Sequence, residues 1–261
     1  MEKLLEENLK EEKVITKDDL LISKPPRHIG MISLGNRELD KGLGGGLPHP
    51  SLVSIEGDYG SGKTVLAMQM IHSMLKAGLK VCVVSSEATV KEYLSMMESI
   101  KLDAKSYYLS GALNIYPLHV EGGNWSKSMS AFFLRVTGNF MEMQRLRYGA
   151  MVIDSLSLLT MDVPPYAFLN FVTRLKNIVS DGRTIIVTFH PNFLPEESMM
   201  KLRASSDVYL TLKNGKISGM NIKLLTIVKL WGSSGDRKDT ITLEVNPHLG
   251  LRVMPLGGVK V

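Results

Sequence analysis

The run Gly57-Asp58-Tyr59-Gly60-Ser61-Gly62-Lys63-Thr64 has the spacing GxxxxGK followed by Ser or Thr, and it constrains this chain more than any other feature. It directly follows the apolar segment SLVSI (51–55). It directly precedes a stretch in which Val65, Leu66 and Met68 begin an amphipathic helix running to about Lys76. Strand, glycine-rich turn and helix in that order make a phosphate cradle. The glycines let the backbone coil tightly, and several N–H groups together with the positive helix end face phosphate oxygens. In this pattern Lys63 reaches the β and γ phosphates of a nucleotide. Thr64 offers its hydroxyl to magnesium, which keeps most of its waters and takes only one or two protein oxygens. The expected ligands are therefore ATP and Mg2+, with Gly57, Asp58, Tyr59, Gly60, Ser61, Gly62, Lys63 and Thr64 as the binding turn.

The cradle sits within a longer rhythm. Apolar runs VCVVS (81–85), MVID (151–154) and TIIVTF (184–189) alternate with helical patterns near 89–101 and over 166–179. Alternation of this kind predicts an α/β fold with a mostly parallel central sheet covered by helices on both faces. Gly78 is placed to end the helix that starts at Lys63, and Asp181-Gly182 to turn from a helix into its strand. After Asp207 the rhythm changes to VYLTL (208–212), IKLLTIVKL (222–230) and TITLEV (240–245), with Asn214-Gly215, the stretch 232–235 and Pro247 between and after them. Short runs joined by turn residues predict antiparallel C-terminal strands at the far edge of the sheet.

A phosphate cradle needs an acid on a neighbouring strand to hold the metal's water shell, and Asp154 ends the strand MVID. The competing role for an aspartate there is a helix cap or turn former. Glu87 follows VCVVS and, in a parallel sheet, emerges from the same edge as the cradle, where it can orient or deprotonate water. Its alternative role is a first-turn carboxylate favoured by the helix dipole. Thr188 and His190, at the end of TIIVTFH, are placed to sense a γ-phosphate, although a histidine before Pro191 also suits a plain loop.

At 261 residues, 44% hydrophobic and 22% charged, the chain suits one large domain, over 31–261, preceded by a charged N-terminal extension over 1–30 that ends near Pro25-Pro26. No stretch approaches the roughly 18 to 20 apolar residues of a membrane span, and the first residues are acidic, so a cytoplasmic location is expected. The single cysteine, Cys82, precludes an internal disulfide and reads as a buried thiol. The six histidines are scattered, which gives no transition-metal pattern. Net charge is +5; residues 1–19 hold seven acidic and four basic side chains, leaving +8 elsewhere. A basic body suits phosphate, nucleic acid or an acidic protein.

Asn36, Leu39-Asp40 and Leu43-Gly44-Gly45-Gly46-Leu47-Pro48, followed by the cradle, resemble the opening of KaiC-like ATPases of the RecA superfamily. Ser85-Ser86-Glu87-Ala88-Thr89, Asn124-Trp125, Asp154-Ser155-Leu156-Ser157, His190-Pro191 and Asp239-Thr240-Ile241 extend the resemblance, over about residues 31 to 256, to the archaellum ATP-binding family ArlH (FlaH). The resemblance implies a RecA-type fold, ATP at the P-loop and a homo-oligomer in the form of a hexameric ring. It also implies a place in the archaeal flagellar machine, peripheral to the membrane, beside the motor ATPase ArlI and the membrane platform protein ArlJ. In such rings a neighbouring subunit contributes a cation to the γ-phosphate. KaiC-type chains carry Lys-x-Arg on a late strand for this, whereas Lys229-Leu230-Trp231 stands here. A supplied arginine is worth about 10³ to 10⁵ in turnover, so its replacement predicts slow hydrolysis, with Lys229 the remaining candidate to act in trans and a solvated edge lysine as the alternative. The paired glutamates of KaiC are reduced to Glu87, followed by Ala88.

Two other function classes share this superfamily. A DNA-binding ATPase needs a basic, stacking surface, and the loop after His190 offers one aromatic, Phe193, while Glu196 and Glu197 offset Lys201 and Arg203. Nucleic acid is accordingly not the expected partner. An autokinase of the KaiC type has two such domains in tandem, and this chain has room for one.

Overall fold

Gly78 and Gly182, at φ of +83° and +86°, end two helices in the left-handed conformation that the helix stops demand, and each delivers the chain to a buried strand. The computed structural model describes residues 30–118, 127–161, 163–217, 220–232, 235, 238–246 and 250–254. Residues 1–29 of the N-terminal extension, Asn124-Trp125, Ser233-Ser234 and Pro247 lie outside the described residues.

In chain order the elements are β1 (Gly30–Ile32), α1 (Arg37–Gly42), β2 (Leu47–His49), β3 (Leu52–Gly57), α2 (Lys63–Lys76) and β4 (Val81–Ser85). Then follow α3 (Val90–Ser99), α4 (Lys105–Leu109), β5 (Leu113–Pro117), α5 (Lys127–Gln144), β6 (Ala150–Asp154), a 3-10 turn (Leu158–Thr160) and α6 (Pro165–Ser180). The last are β7 (Thr184–Phe189), α7 (Glu196–Ser205), β8 (Val208–Ile217), β9 (Met220–Leu230), β10 (Thr240–Asn246) and β11 (Gly250–Val253).

Nine strands form one sheet in the order β11-β10-β9-β8-β3-β7-β6-β4-β5. Pairings from β8 through to β5 are parallel, and those of β8–β9, β9–β10 and β10–β11 antiparallel. The inner strands are buried on both faces, which is why they read as continuous apolar runs. Alternate residues feed two cores. Val53, Ile55, Val81, Val83 and Val152 pack with Leu66, Met70 and Met74 of α2, while Leu52, Cys82, Val84, Met151 and Ile153 pack with Phe168, Phe171 and Leu175 of α6. Burial pushes the Cys82 thiol up to about 12.

Helix starts follow local chemistry. Asn36 accepts from the N–H groups of Glu38 and Leu39 at the head of α1, and Thr89 with Glu92 makes a capping box on α3. Two sequence expectations change. Asn214-Gly215 is no turn: β8 runs through it to Ile217, because Asn214 pairs with Lys223 and Gly215 with Ile222, and the Asn214 amide donates to Tyr59 O while its oxygen accepts from Lys223. The loop after His190 contains α7, whose Glu196 and Glu197 complement the N-terminal dipole, Arg203 the C-terminal one, and whose Ser198 and Leu202 are buried one turn apart. No helix of the described residues is long and apolar enough to cross a membrane.

Candidate nucleotide-binding site

The parallel half of the sheet brings the C-terminal ends of β3, β4, β6 and β7 to one edge, as a doubly covered α/β sheet requires. There, a cleft of about 400 Å3 is lined by Tyr59, Gly60, Gly62, Lys63, Thr64 and Val65 of the glycine-rich turn, by Glu87, Asp154, Ser155 and His190, and by Lys223 and Val245 from the antiparallel strands.

The turn's geometry explains its composition. Gly60 and Gly62 have φ of +66° and +95°, and Gly62 is the N-cap of α2 with no side-chain cap, so its first amides are left for an outside acceptor. A side chain at Gly57 has no room: an added Cβ falls 2.5 Å from Ser61 Oγ and 2.7 Å from Leu212 O. Lys63, 6% exposed, folds across the turn and donates to the carbonyls of Gly57 and Asp58, both at 2.8 Å. Its ammonium is also 3.2 Å from His190 Nδ1. Burial lowers the Lys63 pKa, opposed by Glu87, Asp154 and Asp58. Burial and then the Lys63 charge lower that of His190. A neutral His190 accepts from Lys63 at Nδ1, which leaves the Nε2 proton facing Glu87 Oε1 at 3.8 Å. Tyr59, 72% exposed, stacks on the His190 ring with centroids 3.8 Å apart.

Asp154 is buried at the end of β6 and accepts from Thr188 Oγ1 (2.6 Å), Thr64 Oγ1 (3.2 Å) and Tyr93 OH (3.4 Å). Burial raises its pKa, partly offset by the Thr188 hydrogen bond. Glu87 lies between β4 and Thr89, the N-cap of α3, and accepts from Ser155 Oγ at 2.6 Å; the cap of that helix is supplied by Thr89 and Glu92.

These residues fit a nucleotide with its dication. Thr64 and Asp154 converge in the cleft as one hydroxyl and one carboxylate, the uncapped first amides of α2 lie at the same turn, and within that turn Ser61 Oγ is buried with no hydrogen-bond partner among the described residues. A polyanion beside Lys63 and a dication beside Asp154 oppose both burial shifts, so the two uncomfortable charges suit that ligand.

Lys229 stands elsewhere. On β9 it lies opposite Tyr209, which lies beside Ser54, whereas Gly57 lies three residues further along β3, roughly 10 Å towards the cleft. Its ammonium donates to Ala204 O at the end of α7, at 2.8 Å. Lys229 is half-buried on β9, beyond the stretch 223–226 that pairs with β10, so the edge-lysine alternative stands beside this contact. Trp231 is 72% exposed just beyond.

Sequence reading missed Lys223, whose ammonium donates to Gly60 O at 2.5 Å and to Asn214 Oδ1 at 2.6 Å, clamping the turn from β9. It missed Ser155 and Tyr93 as well. The hydroxyl directly after Asp154 was the one available signal.

A parallel sheet that turns antiparallel beyond β8, with a glycine-rich turn leading from β3 to α2, defines an α/β protein of the RecA class. The KaiC ATPase family model matches residues 32–257. The archaeal flagellar ATP-binding protein FlaH of Sulfolobus acidocaldarius is 39% identical over 227 residues, 87% of this chain and 97% of that one. Its Methanocaldococcus jannaschii counterpart is 29% identical over 86% of this chain and 95% of its own. The crystal structure of the flagellar accessory protein FlaH from Methanocaldococcus jannaschii superposes with a TM-score of 0.76 at 26% identity, covering 87% of this chain and 99% of that one. The chain belongs to the archaeal flagellar ATP-binding family FlaH, within the KaiC-type ATPases, and the ATPase domain of that type implies nucleotide binding.

Proposed function

We propose that this chain is an ATP- and Mg2+-binding, slowly hydrolysing scaffold of the archaeal flagellar motor. It assembles into a ring, six-membered by analogy with its superfamily, whose nucleotide state gates its grip on the motor ATPase ArlI beside the membrane platform ArlJ. The archaeal flagellar names of its relatives supply the setting. The observation that carries the slow-turnover reading is Trp231, 72% exposed directly after β9, at the position from which KaiC-type chains offer an arginine to a neighbour's γ-phosphate. Phosphoryl transfer is accelerated chiefly by positioning and by charge at the γ-phosphate, so a site without that arginine binds better than it turns over.

Within the site, Lys63 would exchange its two carbonyl partners for phosphate oxygens, and Thr64 and Asp154 would hold the dication, which would supply charge neutralisation to the phosphates. Glu87, fixed by Ser155, orients the attacking water. Thr188 and His190 sit between Asp154, Glu87 and Lys63, where they register the γ-phosphate. Lys229 of one subunit, released from Ala204 O, is the cation offered to a neighbour's site.

ATP turnover measured together with solution mass by light scattering, over a protein concentration series in MgATP, MgADP and no nucleotide, tests this. Slow turnover with ATP-dependent assembly is expected. Brisk multiple-turnover hydrolysis, or a monomer indifferent to nucleotide, sinks it.

A further inference from the structure

A second cleft, of about 710 Å3, shares no residue with the nucleotide cleft. It is bounded by β1, the last turns of α2, the segment after α3 and β11. Its apolar floor includes Ile32, Leu102 and Leu251, and its charged lining consists of Lys76, Lys101 and Arg252, with no carboxylate among the described lining residues. None of the three cations forms an ion pair with a described residue. Asp103, next to the floor, is already engaged as the acceptor of Ser106 Oγ and N. A cleft of this makeup takes a ligand that is both apolar and anionic.

Such a polypeptide is tethered at its rim. Residues 2–22 carry seven acidic and four basic side chains, and Leu4, Leu5, Leu9, Val14 and the run Leu20-Leu21-Ile22 stand among them. Seven residues, 23–29, join Ile22 to Gly30, a reach of roughly 23 Å when extended, and β1 begins there with Met31 and Ile32 already in the cleft wall. A tether this short presents the segment at an effective concentration of about millimolar, far above that of any free acidic peptide of equal affinity. We propose that the 710 Å3 cleft is the docking site of the chain's own acidic N-terminal segment, residues 2–22, held by Lys76, Lys101 and Arg252 over an apolar floor. The docked segment bears on the end of α2, the helix whose start forms the phosphate cradle.

Hydrogen exchange read by mass spectrometry on the full chain tests this, comparing wild type with Lys101→Glu/Arg252→Glu. Both side chains are exposed, and unchanged exchange in β3 and β6 verifies that the variant folds. Amides of residues 2–22 are expected to exchange about tenfold faster in the variant, the combined effect of a few exposed charge contacts. The reciprocal variant Glu6→Lys/Glu7→Lys should show the same loss, and combining all four substitutions should restore protection. Carbodiimide cross-linking of an equal mixture of ¹⁴N- and ¹⁵N-labelled chains should join the segment to Lys76 or Lys101 within single copies. Equal exchange in all variants overturns the docking, and cross-links that join light to heavy copies overturn its intrachain form.

Discussion

Asp154→Asn separates what the carboxylate does for the fold from what it does for the ligand. Oδ1 accepts from Thr188 and Thr64, and asparagine keeps that oxygen; Oδ2 accepts from Tyr93 OH, and an amide nitrogen there donates to the tyrosine oxygen instead. The Thr188 and Thr64 donors stay satisfied, the buried Tyr93 hydroxyl proton loses its acceptor, and a buried negative charge disappears. Nucleotide-free stability should therefore change by no more than about 1 kcal/mol, since relief of the burial that raises the carboxylate's pKa offsets the lost Tyr93 acceptor. Metal-dependent binding should move the other way, by roughly 10- to 100-fold in affinity, the usual effect of losing a metal-site partner. At a MgATP concentration near 100 times the wild-type Kd, ligand stabilisation is about 2.7 kcal/mol, and a 100-fold weaker variant retains about 0.4 kcal/mol. For a chain of this size each kcal/mol moves the Tm by roughly 2–4 °C, so a MgATP shift of about 5–10 °C should shrink to about 1 °C.

The sign with pH follows. A carboxyl whose folded pKa is raised stabilises the nucleotide-free protein fully below the unfolded pKa and loses that contribution as pH rises through the folded value. MgATP binding requires the ionised form, so its affinity should climb with pH across the same window, and both dependences should vanish in Asp154→Asn. Thermal unfolding with and without MgATP, over pH 4 to about 8, reads them. A variant that keeps the full MgATP shift, or loses several kcal/mol without ligand, refutes the assignment.

Gly57→Ala should destabilise the chain by about 1–3 kcal/mol in denaturant unfolding, because its Cβ meets Ser61 Oγ and the backbone oxygen of Leu212. Trp231→Arg restores the arginine of the KaiC pattern and should raise turnover of the assembled protein by at least about tenfold in a steady-state ATPase assay, with little change in the dilute monomer.

The fold was legible where one property is written locally. Doubly buried strands announce themselves as VCVVS and TIIVTF because no position in them faces water, and the cradle because its glycines, lysine and threonine lie within eight residues. Asp154 and Glu87 were found by asking which strand ends share an edge with the cradle. Lys223 was not, because it reaches Gly60 across 163 residues and the pairing of β8 with β9 decides which lysine of IKLLTIVKL meets the turn. The same pairing overrides the turn signal of Asn214-Gly215: ladder partners and two side-chain hydrogen bonds outweigh a local preference. α7 was hidden by a short, mostly polar sequence whose helical contacts are two residues deep.

The most direct measurement of the central claim is a calorimetric titration of ATP, with and without Mg2+, into the full chain and into Lys63→Ala. The account predicts Mg2+-dependent binding by the wild type and at least about tenfold weaker binding by the variant, since charge-assisted hydrogen bonds from Lys63 to the phosphates are lost. Nucleotide affinity equal in the two proteins would contradict it.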